Sequence, residues 1–298
     1  MTQLSGSATA SALGTADATW PIVRRIAAEP VTALLVQRAL VMEVAHPKVA
    51  AAVADHSGFR SQPWRRALAT ADAAARIVFG DERTARGAVH RIQYVHDHIH
   101  GAVHPGGDSY SAHDPALLCW VWATLVDTAE VAFTRWVRPF RPGEADALHA
   151  QMRALGRFLG IPDEILPPTR EAMATYLELM LEGPELGATP ASRELARQVL
   201  HFRHVLVPSP LVRLERSLAL ATLDRRLLER LQLRASAIDA WSGWCTDGVL
   251  RGGYRRLPGL RSVPLPVFFR VRSALGAVAT VGRQAGGQAG LHPYTAPV

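Results

Sequence analysis

The sequence predicts an all-α fold, a single helical domain with ragged ends, on three observations. Apolar residues recur at helical spacing almost throughout. The intervals between these runs carry turn chemistry, and strand-like alternation of apolar and polar residues is absent.

The first apolar-periodic run spans about Val31 to Val53, followed by Trp64 to Phe79, Glu82 to about Val103, and Pro115 to Val137. Asp55-His56-Ser57-Gly58, Gly80-Asp81, His104-Pro105-Gly106-Gly107-Asp108 and Arg138-Pro139 separate them with residues that favour turns. Asp114-Pro115 sets an N-cap before a proline at the first helical position, where the missing N–H costs nothing. Further helices are expected from about Gly143 to Leu159, Thr169 to Leu181, Ser192 to Arg203, Leu211 to Leu220 and Asp224 to Trp244. Residues 1–18, rich in Ser, Ala, Thr and Gly, read as a disordered lead, 19–270 as the helical domain and 271–298 as a loose tail.

A hydrophobic content of 48% over 298 residues supports a large core. The formal charge of +7 invites an anionic partner, but the arginines are scattered among acids and Lys48 is the sole lysine, which argues against nucleic-acid binding. Cys119 and Cys245 stand far apart, so neither a disulfide framework nor a zinc site is indicated and a reducing compartment fits. The first residues lack the charged start and apolar stretch of a signal peptide, and no run approaches a spanning helix. The expectation is a soluble cytoplasmic protein; nothing in the residues sets an oligomeric state.

The segment His90-Arg91-Ile92-Gln93-Tyr94-Val95-His96-Asp97-His98-Ile99-His100-Gly101 holds the densest chemistry. Neutral imidazole is a common ligand for transition metals and haem iron. On a helix His96 and His100 share a face while His98 does not, so most of the cluster is expected to be solvated. Ile92, Val95, His96, Ile99 and Val103 fall together, which aims His96 at the core. Glu43-x-x-His46 is half of a di-iron carboxylate motif, but a second copy is missing and His46 equally suits a helix end before Pro47. Metallohydrolase, serine-hydrolase and phosphate-loop signatures are absent.

Several separated motifs carry a resemblance: Val44-Ala45-His46-Pro47-Lys48-Val49-Ala50, Val53-Ala54-Asp55-His56-Ser57, Phe79-Gly80-Asp81, Tyr110-Ser111-Ala112-His113-Asp114-Pro115 and Trp120-Val121-Trp122-Ala123-Thr124-Leu125-Val126-Asp127. In this order they resemble the oxygenase family of the fungal mycophenolic-acid pathway oxygenase and rubber oxygenase (latex clearing protein). The likeness runs from about Glu29 to Val205 and more weakly to about Pro266.

The resemblance implies a globin-related helical core holding haem b, and oxidation or cleavage of a small hydrophobic or unsaturated substrate by dioxygen or peroxide. It places the proximal iron ligand at His96, ahead of Gly101. The Arg-x-x-Lys-Thr pattern of rubber oxygenase falls on Arg66-Ala67-Leu68-Ala69-Thr70, where Ala69 replaces the lysine and leaves the distal position open. Arg66 and Thr70, at i and i+4, become catalytic candidates that could stabilise bound oxygen. Arg66, Arg91, Trp122 and Asp127 become cofactor-contact candidates, with Asp127 expected to pair with Arg91 or Arg66, though tryptophans at this spacing also suit a core. The alternatives are a non-haem di-iron oxidase using Glu43 and His46, a thiolate-haem enzyme using Cys119, and a non-catalytic helical haem- or small-ligand-binding protein.

Overall fold

A computed structural model describes residues 20–56, 63–104, 106–187, 189–201, 209–254 and 256, and of 63–68 only the helix they belong to. The expected lead, 1–18, and tail, 271–298, lie outside the described residues.

The described chain is built of helices: α1 (Pro21–Ala27), α2 (Val36–Ala45), α3 (Pro47–His56), α4 (Pro63–Phe79), α5 (Glu82–His96), α6 (Pro115–Ala132), α7 (Glu144–Phe158), α8 (Arg170–Glu182), α9 (Pro190–Leu200), α10 (Ser209–Thr222), α11 (Arg225–Arg230) and α12 (Ala237–Val249). A 3-10 segment, Pro30–Leu35, leads into α2. The N-caps follow the turn residues read from the sequence. Asp81 accepts the Thr84 N–H at 2.8 Å, Asp114 accepts the Ala116 N–H at 2.9 Å, and Ser236 and Asp239 cap each other's backbone in a reciprocal box.

Three departures from the expected helices are local. The first run breaks at His46, because Pro47 has no N–H to continue α2 and instead starts α3. α5 ends at His96 rather than near Val103, so Ile99 and Val103 leave its face. The chain turns into strand β1 (His100–Ala102), which pairs antiparallel with β2 (Ser109–Ser111) in the register Gly101 to Tyr110. Three-residue strands are too short to show alternation. Finally, the expected helix from Asp224 to Trp244 is two helices. Gln232 takes a φ of 55° and the Leu233 N–H returns to the Leu228 carbonyl at 2.9 Å, closing α11 before Ser236 opens α12.

α6 divides the core. Trp122, Ala123 and Val126 join Trp136 and residues of α1, α5 and α7 in one apolar cluster, while Trp120 packs with α2, α9, α10 and α11 in another. Pro115–Val137, including a π-helical turn after Ala132, forms 23 residues that contain an 18-residue stretch of mean hydropathy 1.5. This corrects the expectation that no run approaches spanning length. Its burial among other helices accounts for its composition.

A charge pair fastens the second cluster to α6. Arg38 on α2 is 5% exposed, and its guanidinium donates to Asp127 Oδ2 at 2.5 Å, to Thr128 Oγ1 at 2.7 Å and to the Thr222 carbonyl at 3.2 Å. Asp127 therefore pairs with Arg38 rather than with Arg91 as expected, and the Arg66 side chain lies outside the described residues. α2 lies against α6, which brings Arg38 beside it.

At the α2–α3 break, His46 Nδ1 accepts the Lys48 N–H at 3.2 Å, and Nε2 lies 3.6 Å from Glu185. The ring thus serves as a cap on α3. Burial pushes the His46 pKa below 6.5, against the opposing pull of Glu185.

Two outcomes follow for stability. Arg38→Met should lower stability by about 3 kcal/mol, read as the urea midpoint, because Asp127 keeps its charge without its partner. Arg38→Met with Asp127→Leu should recover most of that loss, and equal losses in the two variants would remove the pair from this role. For His46 the folded pKa lies below the unfolded one, so the unfolded state takes up the proton first. Its contribution is complete above pH 6.5 and is lost as pH falls below that value toward the folded pKa. Urea midpoints between pH 8 and 5 should therefore fall more steeply in the parent than in His46→Asn; parallel slopes would contradict this.

Candidate functional site

Helices α4 and α5 form a hairpin about Gly80-Asp81 and pack along each other. Antiparallel helices joined by so short a turn place positions equidistant from it roughly level. Thr70 thus stands near the level of Arg91, and the backbone of Arg66 near that of Val95.

Along α5 the inward face carries Ala85, Ala88, Val89, Ile92 and His96, at helical spacing. The first three are buried, and Ile92 and His96 are half-buried. On α4, Ile77 near the turn is buried, while Ala69 and Thr70, further from it, are exposed. The hairpin is well covered at its closed end, and burial lessens along α5 toward the half-buried His96. His90, His98 and His100 are all exposed, so His96 alone of the clustered histidines continues a core-facing row.

The β-hairpin organises the groups beside His96. Tyr110 crosses so closely over Gly101 that a Cβ there would stand 2.7 Å from the phenol oxygen, which requires glycine. The Tyr110 hydroxyl donates to Asp55 Oδ2 at 2.7 Å, tying the hairpin to α3, and burial pushes its pKa up. His56 Nε2 meets the His100 carbonyl at 2.9 Å. His113, just after β2, bonds through Nε2 to Asp97 Oδ1 at 2.7 Å and sets its ring edge-on to His96, with centroids 5.9 Å apart. Asp97 thereby orients His113, and His113 in turn restricts the His96 ring.

The other sequence-predicted residues are dispersed. Thr70 and Arg91 are exposed on the hairpin, and the Arg66 side chain lies outside the described residues. Trp122 is a core residue: its indole N–H donates to the Met152 carbonyl at 2.8 Å and its ring meets His149 edge-on. It backs α5 from within the same apolar cluster. Asp127 and Arg38 line a different place, a cleft of about 220 Å³ walled by Met42, Leu177, Leu181, Leu223 and Leu227.

Arg38 was the functional-looking residue that sequence reasoning missed. Its signal was present as a cation in an otherwise apolar helix, the counterpart of Asp127 in α6.

His46 is engaged as a cap, and among the described residues no group of three His, Cys, Asp or Glu side chains is placed to hold a metal ion. Cys119 is buried with its thiol directed at the Ile165 carbonyl, 3.5 Å away, and burial pushes its pKa up. That environment disfavours the thiolate needed for iron ligation. A group that needs a single protein nitrogen would fit the half-buried His96 better than a bare ion requiring several ligands.

Comparison with known proteins agrees with the motif order. Residues 23–257 match the family described as ER-bound oxygenase mpaB/B'/rubber oxygenase, catalytic domain. Two uncharacterized proteins, from Mycobacterium bovis and Mycobacterium tuberculosis, are each 30% identical over 160 residues, covering 50% of this chain. The match spans 60% of the length of these curated relatives. No solved structure matches. With the family model matching from α1 to the end of the described helices, the chain belongs to the mpaB/rubber oxygenase family by its catalytic domain.

Proposed function

We propose that this protein is a haem b-dependent oxygenase in which His96 holds the iron, acting on a small hydrophobic or unsaturated molecule within a globin-related helical core. The observation that carries the reading is the position of His96. It is the half-buried end of the inward row on α5, in a chain of an oxygenase family.

Haem, when bound, supplies activation of dioxygen or a peroxide; the chain supplies orientation and polarity. His96 would hold the group from α5, with His113 and Asp97 limiting its rotation. Thr70 brings a hydroxyl and Arg66 a guanidinium from one helical face of α4, where donors suited to developing negative charge are wanted. Ala69, between them in sequence, cannot donate a ligand nitrogen. The half-buried Ile92, one turn before His96 on the same face, offers apolar contact and helps exclude water.

The absorption spectrum and haem content of the purified protein test this directly. The parent should bind haem, His96→Ala should lose most of it, and His98→Ala and His100→Ala should retain it. Equal haem in all four proteins would overturn the assignment of His96. Iron present without porphyrin, and lost in a Glu43→Ala, His46→Ala variant, would favour the di-iron alternative instead. Oxygen consumption dependent on an added organic substrate separates an oxygenase from a haem carrier.

The open position next to Arg66 and Thr70 gives a second expectation. The parent should bind added cyanide or imidazole readily, whereas Ala69→Lys should bind them more slowly and show a low-spin spectrum. Arg66→Ala and Thr70→Ala should each keep the spectrum and lower turnover about tenfold or more. A parent that is already low-spin and refuses cyanide would contradict the open position.

A further inference from the structure

α12 is apolar on the wrong side for an ordinary surface helix. Its inner face is settled against α10: Asp239 is buried and paired with Arg216, and a Cβ on Gly243 would stand 2.9 Å from the Ser217 carbonyl. The outer face carries Ala237, Trp241, Trp244 and Gly248 at i, i+4, i+7 and i+11, flanked by Ile238 and Val249. Ile238 is 76% exposed, Trp241 68%, Trp244 75% and Val249 70%. The two acids of this helix do not interrupt that face. Asp239 points inward, and Asp247 is held by Arg135 and by the Trp136 indole.

The sequence that follows α12 carries charge of one sign. Arg234 and Arg256 are exposed, whereas Arg251, 53% exposed, pairs with Asp247 at 2.9 Å. From Gly248 to the last residue the sequence contains Arg251, Arg255, Arg256, Arg261, Arg270, Arg272 and Arg283, and neither aspartate nor glutamate. The whole chain carries a formal charge of +7.

We propose that the outer face of α12 is a docking surface for an anionic lipid bilayer, with Trp241 and Trp244 seated at the headgroup boundary. The indole suits that boundary because it joins a large apolar ring to one N–H donor. Stable attachment without a spanning segment takes two signals, an apolar contact and a basic one, and this end of the molecule has both. A second copy is the weaker fit. A helix about 20 Å long offers on the order of 300 Å² on one face, against about 800 Å² per partner in a standard interface. The inference rests on α12 and its flanking charge, independently of haem or of His96.

The test is co-sedimentation of the full chain with vesicles of phosphatidylcholine, with and without phosphatidylglycerol, together with quenching of tryptophan emission by brominated phosphatidylcholine. The parent should bind the anionic vesicles at least about tenfold more tightly than the neutral ones, lose this preference in high salt, and be quenched. Trp241→Ser with Trp244→Ser should weaken binding about tenfold or more and abolish quenching, while circular dichroism and thermal midpoint stay near the parent. A conservative Trp241→Phe, Trp244→Phe variant should keep most of the binding. The proposal is overturned if anionic vesicles bind no better than neutral ones or if the serine variant binds like the parent. It is equally overturned if sedimentation shows a dimer that the serine variant breaks, or if acrylamide cannot reach these tryptophans in the free monomer, which would mean that the chain itself covers the face.

Discussion

The contact on which much of the packing depends is the buried guanidinium of Arg38. One planar group meets α6 through Asp127 and Thr128 and the end of α10 through the Thr222 carbonyl, so three helices share a single fixed point. An arginine this deeply buried is tolerated only where its N–H groups find geometrically matched acceptors. That demand sets the height of α2 against α6 more sharply than apolar contact can, because leucines and valines slide at little cost whereas forked hydrogen bonds do not. The neighbouring cleft, lined in part by the same pair, keeps apolar walls around a polar floor.

The helices were legible where periodicity and punctuation agreed. α4, α6, α7 and α8 have turn residues at both ends, and apolar spacing marks their inner faces. The misread boundaries all involve signals that pattern alone does not weigh. Pro47 divides a run that remains apolar on both sides. Gln232, an ordinary-looking residue, adopts a left-handed conformation that only the closure of α11 demands. The hairpin after α5 depends on Gly101 lying under Tyr110, a contact between residues on different strands.

The site was legible to a lesser depth. Of the row expected from helical spacing, Ile92, Val95 and His96 stay on α5, while Ile99 and Val103 fall beyond the end of the helix. The company of His96 was hidden, because Asp97 and His113 meet only once the chain has turned back through two short strands. Asp127 illustrates the opposite error. Reading it as unusual in an apolar helix was correct, yet its partner is Arg38 on α2, which the sequence analysis did not single out. Two unusual charges on two apolar helices are better read as each other's explanation than separately.

The junction between α2 and α3 has a consequence for how substitutions can accumulate. Because Pro47 lacks an N–H and the His46 N–H turns to the Glu43 carbonyl, the Met42 carbonyl loses its usual helical donor. The indole N–H of Trp120 fills that place at 3.2 Å, reaching the Glu43 carbonyl as well at 3.4 Å. Position 120 is therefore selected for a hydrogen-bond donor as much as for bulk, and phenylalanine would occupy the space while leaving a buried carbonyl dry. Proline on one helix and tryptophan on another become a linked pair of letters: a lineage that loses the first no longer needs the second, and one that loses the second has reason to discard the first.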